Sequence, residues 1–191
     1  MNTAIVRRGG WAGLVAAVLL VLSTVVSQIA PIGTIYRSPS AYLHQVLLLL
    51  AYAAILVAVL GLHARHRGQP RYGRLGGVGT VMTLIGYGAV ALIVGIGIVM
   101  GSRVLNEVRI GAAVVLLIGS VLLGIALLRA RLLPWWCGVL LIVAFPLGDV
   151  ANGVFAGAEG LLLGLLWGLV GAALLKPVET AVEPVISSRS P

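Results

Sequence analysis

Between Ile110 and Leu128 the chain reads IGAAVVLLIGSVLLGIALL, without a single charged residue. At about 1.5 Å of rise per residue, a helix of this length reaches roughly 28 Å. That is close to the ~30 Å hydrocarbon thickness of a bilayer. The stretch is read as a membrane-spanning helix, and its neighbours repeat the pattern. Working outward, the spans before it are Trp11–Ala30, Leu43–Leu62 and Leu75–Met100. Those after it are Leu133–Asn152 and Ala158–Leu175, joined by a short Gly/Ala-rich connection. A single re-entrant element in place of the last two is the alternative there.

Composition agrees with the spans. Of 191 residues, 60% are hydrophobic and only 9% charged, where a soluble domain carries about a quarter charged. The mean hydropathy is +1.13. Soluble enzymes, nucleic-acid-binding domains, coiled coils and disordered regulators are excluded by these values. The single cysteine, Cys137, excludes an intrachain disulfide, a cysteine zinc site and an iron–sulfur cluster. The fold expected is all-α: one six-helix transmembrane domain over residues 1–175, followed by a disordered tail over 176–191. The tail carries Pro177, Pro184 and Pro191 and too little apolar surface to fold.

The first span resembles a signal peptide in having Arg7 and Arg8 before an apolar run. A cleavage site needs small residues spaced as A-x-A. Gln28 interrupts that spacing and Pro31 follows Ala30, so an uncleaved first helix is expected.

Charge sets the orientation. Arg7, Arg8, Arg65, Arg67, Arg71, Arg74, Arg129, Arg131, Lys176 and Arg189 share the side of the N-terminus, while only Arg37, Arg103 and Arg109 lie opposite. Ten against three is a positive-inside pattern, with both termini cytoplasmic in a multi-pass protein of the cell membrane. The high pI therefore does not indicate nucleic acid as a partner. The loop His63–Arg74 holds Arg65, Arg67, Arg71 and Arg74, which are expected to contact anionic lipid headgroups.

Lipid offers no hydrophobic drive for helix association, so small residues must let backbones approach. On the sixth helix Gly160, Gly164, Gly168 and Ala172 recur every four residues, a glycine-zipper pattern. Packing inside one bundle is the expected use, and a homodimer seam the alternative. A short echo links Leu60–Arg65 to Ala126–Arg131, hinting at two tandem hairpins. Trp11, Tyr72, Trp135 and Trp136 are assigned to the cytoplasmic interface, and Tyr52, Tyr87 and Trp167 to mid-membrane packing.

Polar groups inside a membrane are costly, so their placement is the best functional clue. Asp149 and Asn152 end the fifth helix one turn after Pro146, His44 opens the second, Gln28 ends the first and Glu159 opens the sixth. These five residues share one depth and are expected to line an outward-facing polar cavity. The alternative for Asp149 is a helix-end anchor, and for His44 a bond to a neighbouring carbonyl. Two further stripes, Gln45–Tyr52–His63 on the second helix and Gly76–Thr80–Thr83–Tyr87–Ala91 on the third, are expected to face each other.

Specific chemistries fall away one by one. His44 and His63 lie roughly 30 Å apart along one helix and cannot ligate a haem together. No metal site, cofactor, nucleophile elbow or phosphate-binding glycine loop is predicted. The expected function is that of a non-catalytic membrane component: an accessory subunit, a structural protein or a lipid-interacting bundle, with a protein partner or a second copy as further possibilities. A small transporter or ligand-binding protein using the polar cavity is the alternative, and an outer-leaflet enzyme the third reading.

Overall fold

The computed structural model describes residues 3–29, 38–100, 106–152 and 157–176, with Asn106, Glu107 and Asp149 described at the backbone only. Six helices follow one another: α1 Thr3–Ile29, α2 Pro39–His66, α3 Gly73–Met100, α4 Asn106–Ala130, α5 Trp135–Asn152 and α6 Ala158–Leu175. No strand occurs among the described residues. All six are long and apolar enough to cross a membrane. The expected tail, residues 177–191, lies outside the described set.

Most helices outrun the apolar windows that announced them. α1 begins eight residues before Trp11 and α2 extends four residues past Leu62, because backbone hydrogen bonding continues after the hydrocarbon ends. α5 and α6 are separate 18-residue helices rather than one re-entrant element, and α5 runs on through Pro146 to Asn152.

Local chemistry fixes the boundaries. Ser38 caps α2, its Oγ accepting from the Ala41 backbone N–H at 3.1 Å, and Pro39 follows at the first helical position, where no N–H is needed. Gly157 precedes α6 at φ 91°, a left-handed conformation open to glycine at little cost. Arg131 closes α4 at φ 54°, where glycine would be expected, and is the one described non-glycine residue with positive φ.

Each helix packs on its sequence neighbours, and α6 returns to α1, so the six form a closed ring with a lesser contact between α2 and α6. The middle of the ring is filled by aromatic side chains. Tyr87 on α3 stacks against Tyr52 of α2 at 5.9 Å between centroids and meets Trp167 of α6 edge-on at 6.0 Å. The Trp167 indole N–H donates to the Tyr87 hydroxyl at 3.2 Å, which satisfies two polar tips in a dry setting. Trp167 is fully buried. The two expected stripes on α2 and α3 meet here and again at His63 and Thr80.

Close backbone approach holds the rim together. Gly9 and Gly61 bring α1 and α2 so near that a Cβ on Gly9 would sit 2.6 Å from the Gly61 Cα. Gly10 and Gly13 do the same for α1 against Gly171 of α6. Gly160, Gly164 and Gly168 also face α1, so the packing within the bundle takes up that stripe. Ala172 departs from expectation: it is exposed, and Gly171 occupies the contact. At 100° per residue a strict four-residue repeat drifts 40° at each step, so by the third step the fourth member has left the face.

Large apolar side chains point outward on every helix, among them Val18, Leu50, Leu92 at 69% exposure, Ile110, Val150 and Leu165. Such a belt is unsuited to water and suited to lipid. Most hydroxyls inside the spans bond to their own helix: Ser23 and Thr24 to Leu20 O, Thr83 to Gly79 O and Ser120 to Leu117 O. This turn-back bonding satisfies their donors within the helix.

Candidate functional site

The expected polar cluster gathers at one end of the ring, around the α5–α6 connection. Asn152 Oδ1 accepts from the Gly157 backbone N–H at 2.7 Å, which ties the end of α5 to the start of α6. The Gln28 side-chain amide lies beside Gly157, and Gly148 of α5 lies against Glu159 of α6. His44 Nδ1 donates to Ser23 O of α1 at 2.9 Å, so its ring joins α2 to α1. Asn152 and His44 thus tie helix ends to one another, and Gln28 and Glu159 stand beside the same joint. The side chain of Asp149 lies outside the described residues.

A second polar cluster, at the arginine-rich end, was not anticipated in this form. Arg65 was expected at the headgroups; instead it is 6% exposed, and its Nη1 donates to Ala173 O and Leu174 O at 3.0 Å and to Lys176 O at 3.4 Å. The last carbonyls of a helix have no intrahelical donor and carry the negative end of the macrodipole. The Arg65 guanidinium supplies both the hydrogen bonds and the positive charge, pinning α2 to α6. Its place was legible in retrospect. Ala51, Ile55, Ala58 and Leu62 are all buried, and that alternating three-and-four spacing arrives next at Arg65.

Tyr72 also moves inward from the interface assigned to it. It is buried between the rings of His63 and His66, at 5.7 and 5.6 Å. The donors run in one direction. Thr80 donates to Gly76 O at 2.8 Å, so its oxygen accepts from the Tyr72 hydroxyl at 2.8 Å, which in turn accepts from His63 Nδ1 at 3.2 Å. Burial pushes the Tyr72 phenol above its ordinary pKa, with the Thr80 bond opposing. The phenol therefore stays protonated and keeps its donor role. His66 is fully buried and bonds Leu62 O through Nδ1 at 2.8 Å. Its Nε2 and the Arg65 Nε have no hydrogen-bond partner.

Outside this buried network the end is cationic. Arg67, Arg71, Arg74, Arg129 and Arg131 are all exposed. A hollow of about 520 Å³ is lined by Arg71, Leu128, Arg129 and Arg131. A second, of about 390 Å³, is lined by Leu127, Leu128, Arg131, Leu133 and Trp135. The first lies where Arg71 of the α2–α3 connection meets the end of α4, and the second at the α4–α5 connection. Within the sequence echo the matching arginines differ: Arg65 is helical and buried, while Arg131 is left-handed and exposed.

Cys137 is a buried free thiol. Among the described residues no three His, Cys, Asp or Glu side chains assemble into a metal-binding group. Six long apolar helices in one closed ring define the class as a helical, multi-pass membrane bundle. No family model matches the chain, and no curated protein or solved structure matches it.

Proposed function

We infer that this protein is a non-catalytic component of the cell membrane, a lipid-interacting structural bundle with both termini in the cytoplasm. The observation that carries this reading is the filled ring. Tyr52, Tyr87 and Trp167 interlock at mid-depth, and His44 and Asn152, two of the residues expected to line a cavity, bond to backbone groups at helix ends. The remaining strong feature is the cationic end, suited to an anionic leaflet.

Orientation follows from the arginine bias. In intact cells a membrane-impermeant maleimide is expected to label Ser38→Cys, and to label Gly68→Cys only after permeabilisation. Both positions are exposed and lie at opposite ends of α2. Labelling of both from one side would overturn the topology.

Function is tested by reconstitution. Proteoliposomes carrying an imposed pH gradient are expected to leak no faster than protein-free vesicles, with Asp149→Asn behaving as the parent. A proton or solute flux that Asp149→Asn abolishes would replace this reading with the transporter alternative.

A further inference from the structure

The two hollows at the arginine-rich end have complementary linings. The larger is ringed by three guanidinium groups: Arg71 from the α2–α3 connection, Arg129 from the last turn of α4, and Arg131 just beyond it. The smaller shares Leu128 and Arg131 with it and continues onto Leu127, Leu133 and Trp135. Trp135 is 71% exposed, as an interfacial anchor would be. A cationic mouth thus opens onto an apolar shelf on the outside of the α4–α5 corner.

Among the described residues no carboxylate stands at this end. Of the five carboxylates in the chain, Glu107, Asp149 and Glu159 stand at the α4 start, the α5 end and the α6 start, all at the opposite end of the ring. Glu179 and Glu183 belong to the tail outside the described residues. Three arginines around one hollow repel each other unless an anion joins them, and guanidinium forks match phosphate oxygens in geometry.

Backbone conformation adds an independent sign. Arg131 holds φ 54° while its N–H bonds Leu127 O at 3.1 Å. This helix-ending position is normally given to glycine, since a side chain there is strained. The strain places a third cation on the hollow.

We propose that Arg71, Arg129 and Arg131 form a binding site for the phosphate of an anionic phospholipid, whose first acyl carbons lie along Leu128 and Trp135, over the buried Leu127 and Leu133. The proposal deepens the lipid-interacting reading and rests on it, in that the arginine-rich end must face the headgroups of the cytoplasmic leaflet. Phosphate chemistry alone would also admit free inorganic phosphate. The adjoining apolar shelf selects the lipid.

The test is native mass spectrometry of the full chain in detergent, titrated with dioleoylphosphatidylglycerol or dioleoylphosphatidylcholine. The parent is expected to prefer phosphatidylglycerol by about tenfold or more. The combined Arg71→Gln, Arg129→Gln and Arg131→Gln variant is expected to lose that preference. An equally discharged control, Arg7→Gln, Arg8→Gln and Arg189→Gln, is expected to retain it. Arg131→Gly separates fold from binding: it relieves the backbone, so its melting temperature should hold or rise while the preference falls several-fold. A preference unaffected by the three-arginine variant, or reduced equally by the control, would overturn the site and leave the lipid reading standing. A parent with no preference at all would overturn both. Displacement of phosphatidylglycerol by millimolar inorganic phosphate would overturn the lipid as occupant.

Discussion

Gly61→Leu is expected to be among the most damaging single substitutions in the membrane domain. A Cβ at Gly61 would meet the Gly9 Cα at 2.6 Å and Ile5 O at 3.3 Å, both backbone atoms that no rotamer change can move. Relief requires α1 and α2 to separate along their contact, and α1 also carries the Gly10 and Gly13 approach to α6. Overpacking typically costs about 1–3 kcal/mol, and the absence of a yielding side chain places this case at or above the upper end. Gly171→Leu should behave alike, since its Cβ would meet Gly10 O at 2.7 Å and Leu14 N at 2.9 Å. Gly88→Leu is the control: nothing lies within 4 Å of a Cβ there, and helix propensity favours leucine over glycine. Thermal unfolding in mild detergent checks the set. Equal midpoints for Gly61→Leu and Gly88→Leu would mean that α1 and α2 do not meet as described.

The second large effect is expected at Arg65. Arg65→Met keeps the stem and removes the donors, leaving the carbonyls of Ala173 and Leu174 without a partner in a buried setting. A buried unsatisfied acceptor costs about 1–3 kcal/mol. Removing a buried guanidinium also relieves its own desolvation, which offsets part of the loss. A net destabilisation of about 2–3 kcal/mol is expected from these opposing terms. Arg65→Lys should recover some of it, because an ammonium can reach one carbonyl but cannot span two as the guanidinium fork does. The signature is local. Hydrogen exchange in Arg65→Met should rise first in the last turn of α6, while α3 and α4 keep their protection. Uniform loss of protection would show that Arg65 supports the whole bundle rather than the end of one helix.

Spans were legible because lipid imposes a simple rule: a helix must present some twenty apolar residues, and Ile110–Leu128 does so without exception. The same rule understated α1 and α2, since Arg7, Arg8 and His66 are helical although they lie beyond any apolar window. Depth was legible too. Gln28, His44, Asn152 and Glu159 do come to one end, as their positions along six alternating helices require. Whether they line a space or close a joint was not, because that depends on how far apart the helix ends stand. Glycine at Gly157 and Gly148 lets those ends touch, and Asn152 bonds across the joint.

Sequence alone determined the membrane class, six helices, their order and the concentration of arginine at one end, because each follows from hydropathy and charge read residue by residue. Tertiary structure decided which of two similar arginines is buried. Arg65 turns inward because the end of α6 arrives beside it with unpaired carbonyls, whereas Arg131 turns outward past the end of α4. It also decided that Tyr72 sits between two histidines and that Arg71 joins the two arginines at the end of α4 around one hollow. Such facts depend on the meeting of segments distant in sequence. Hydropathy places a residue along the bilayer normal, and only the packing of neighbouring helices fixes what stands beside it.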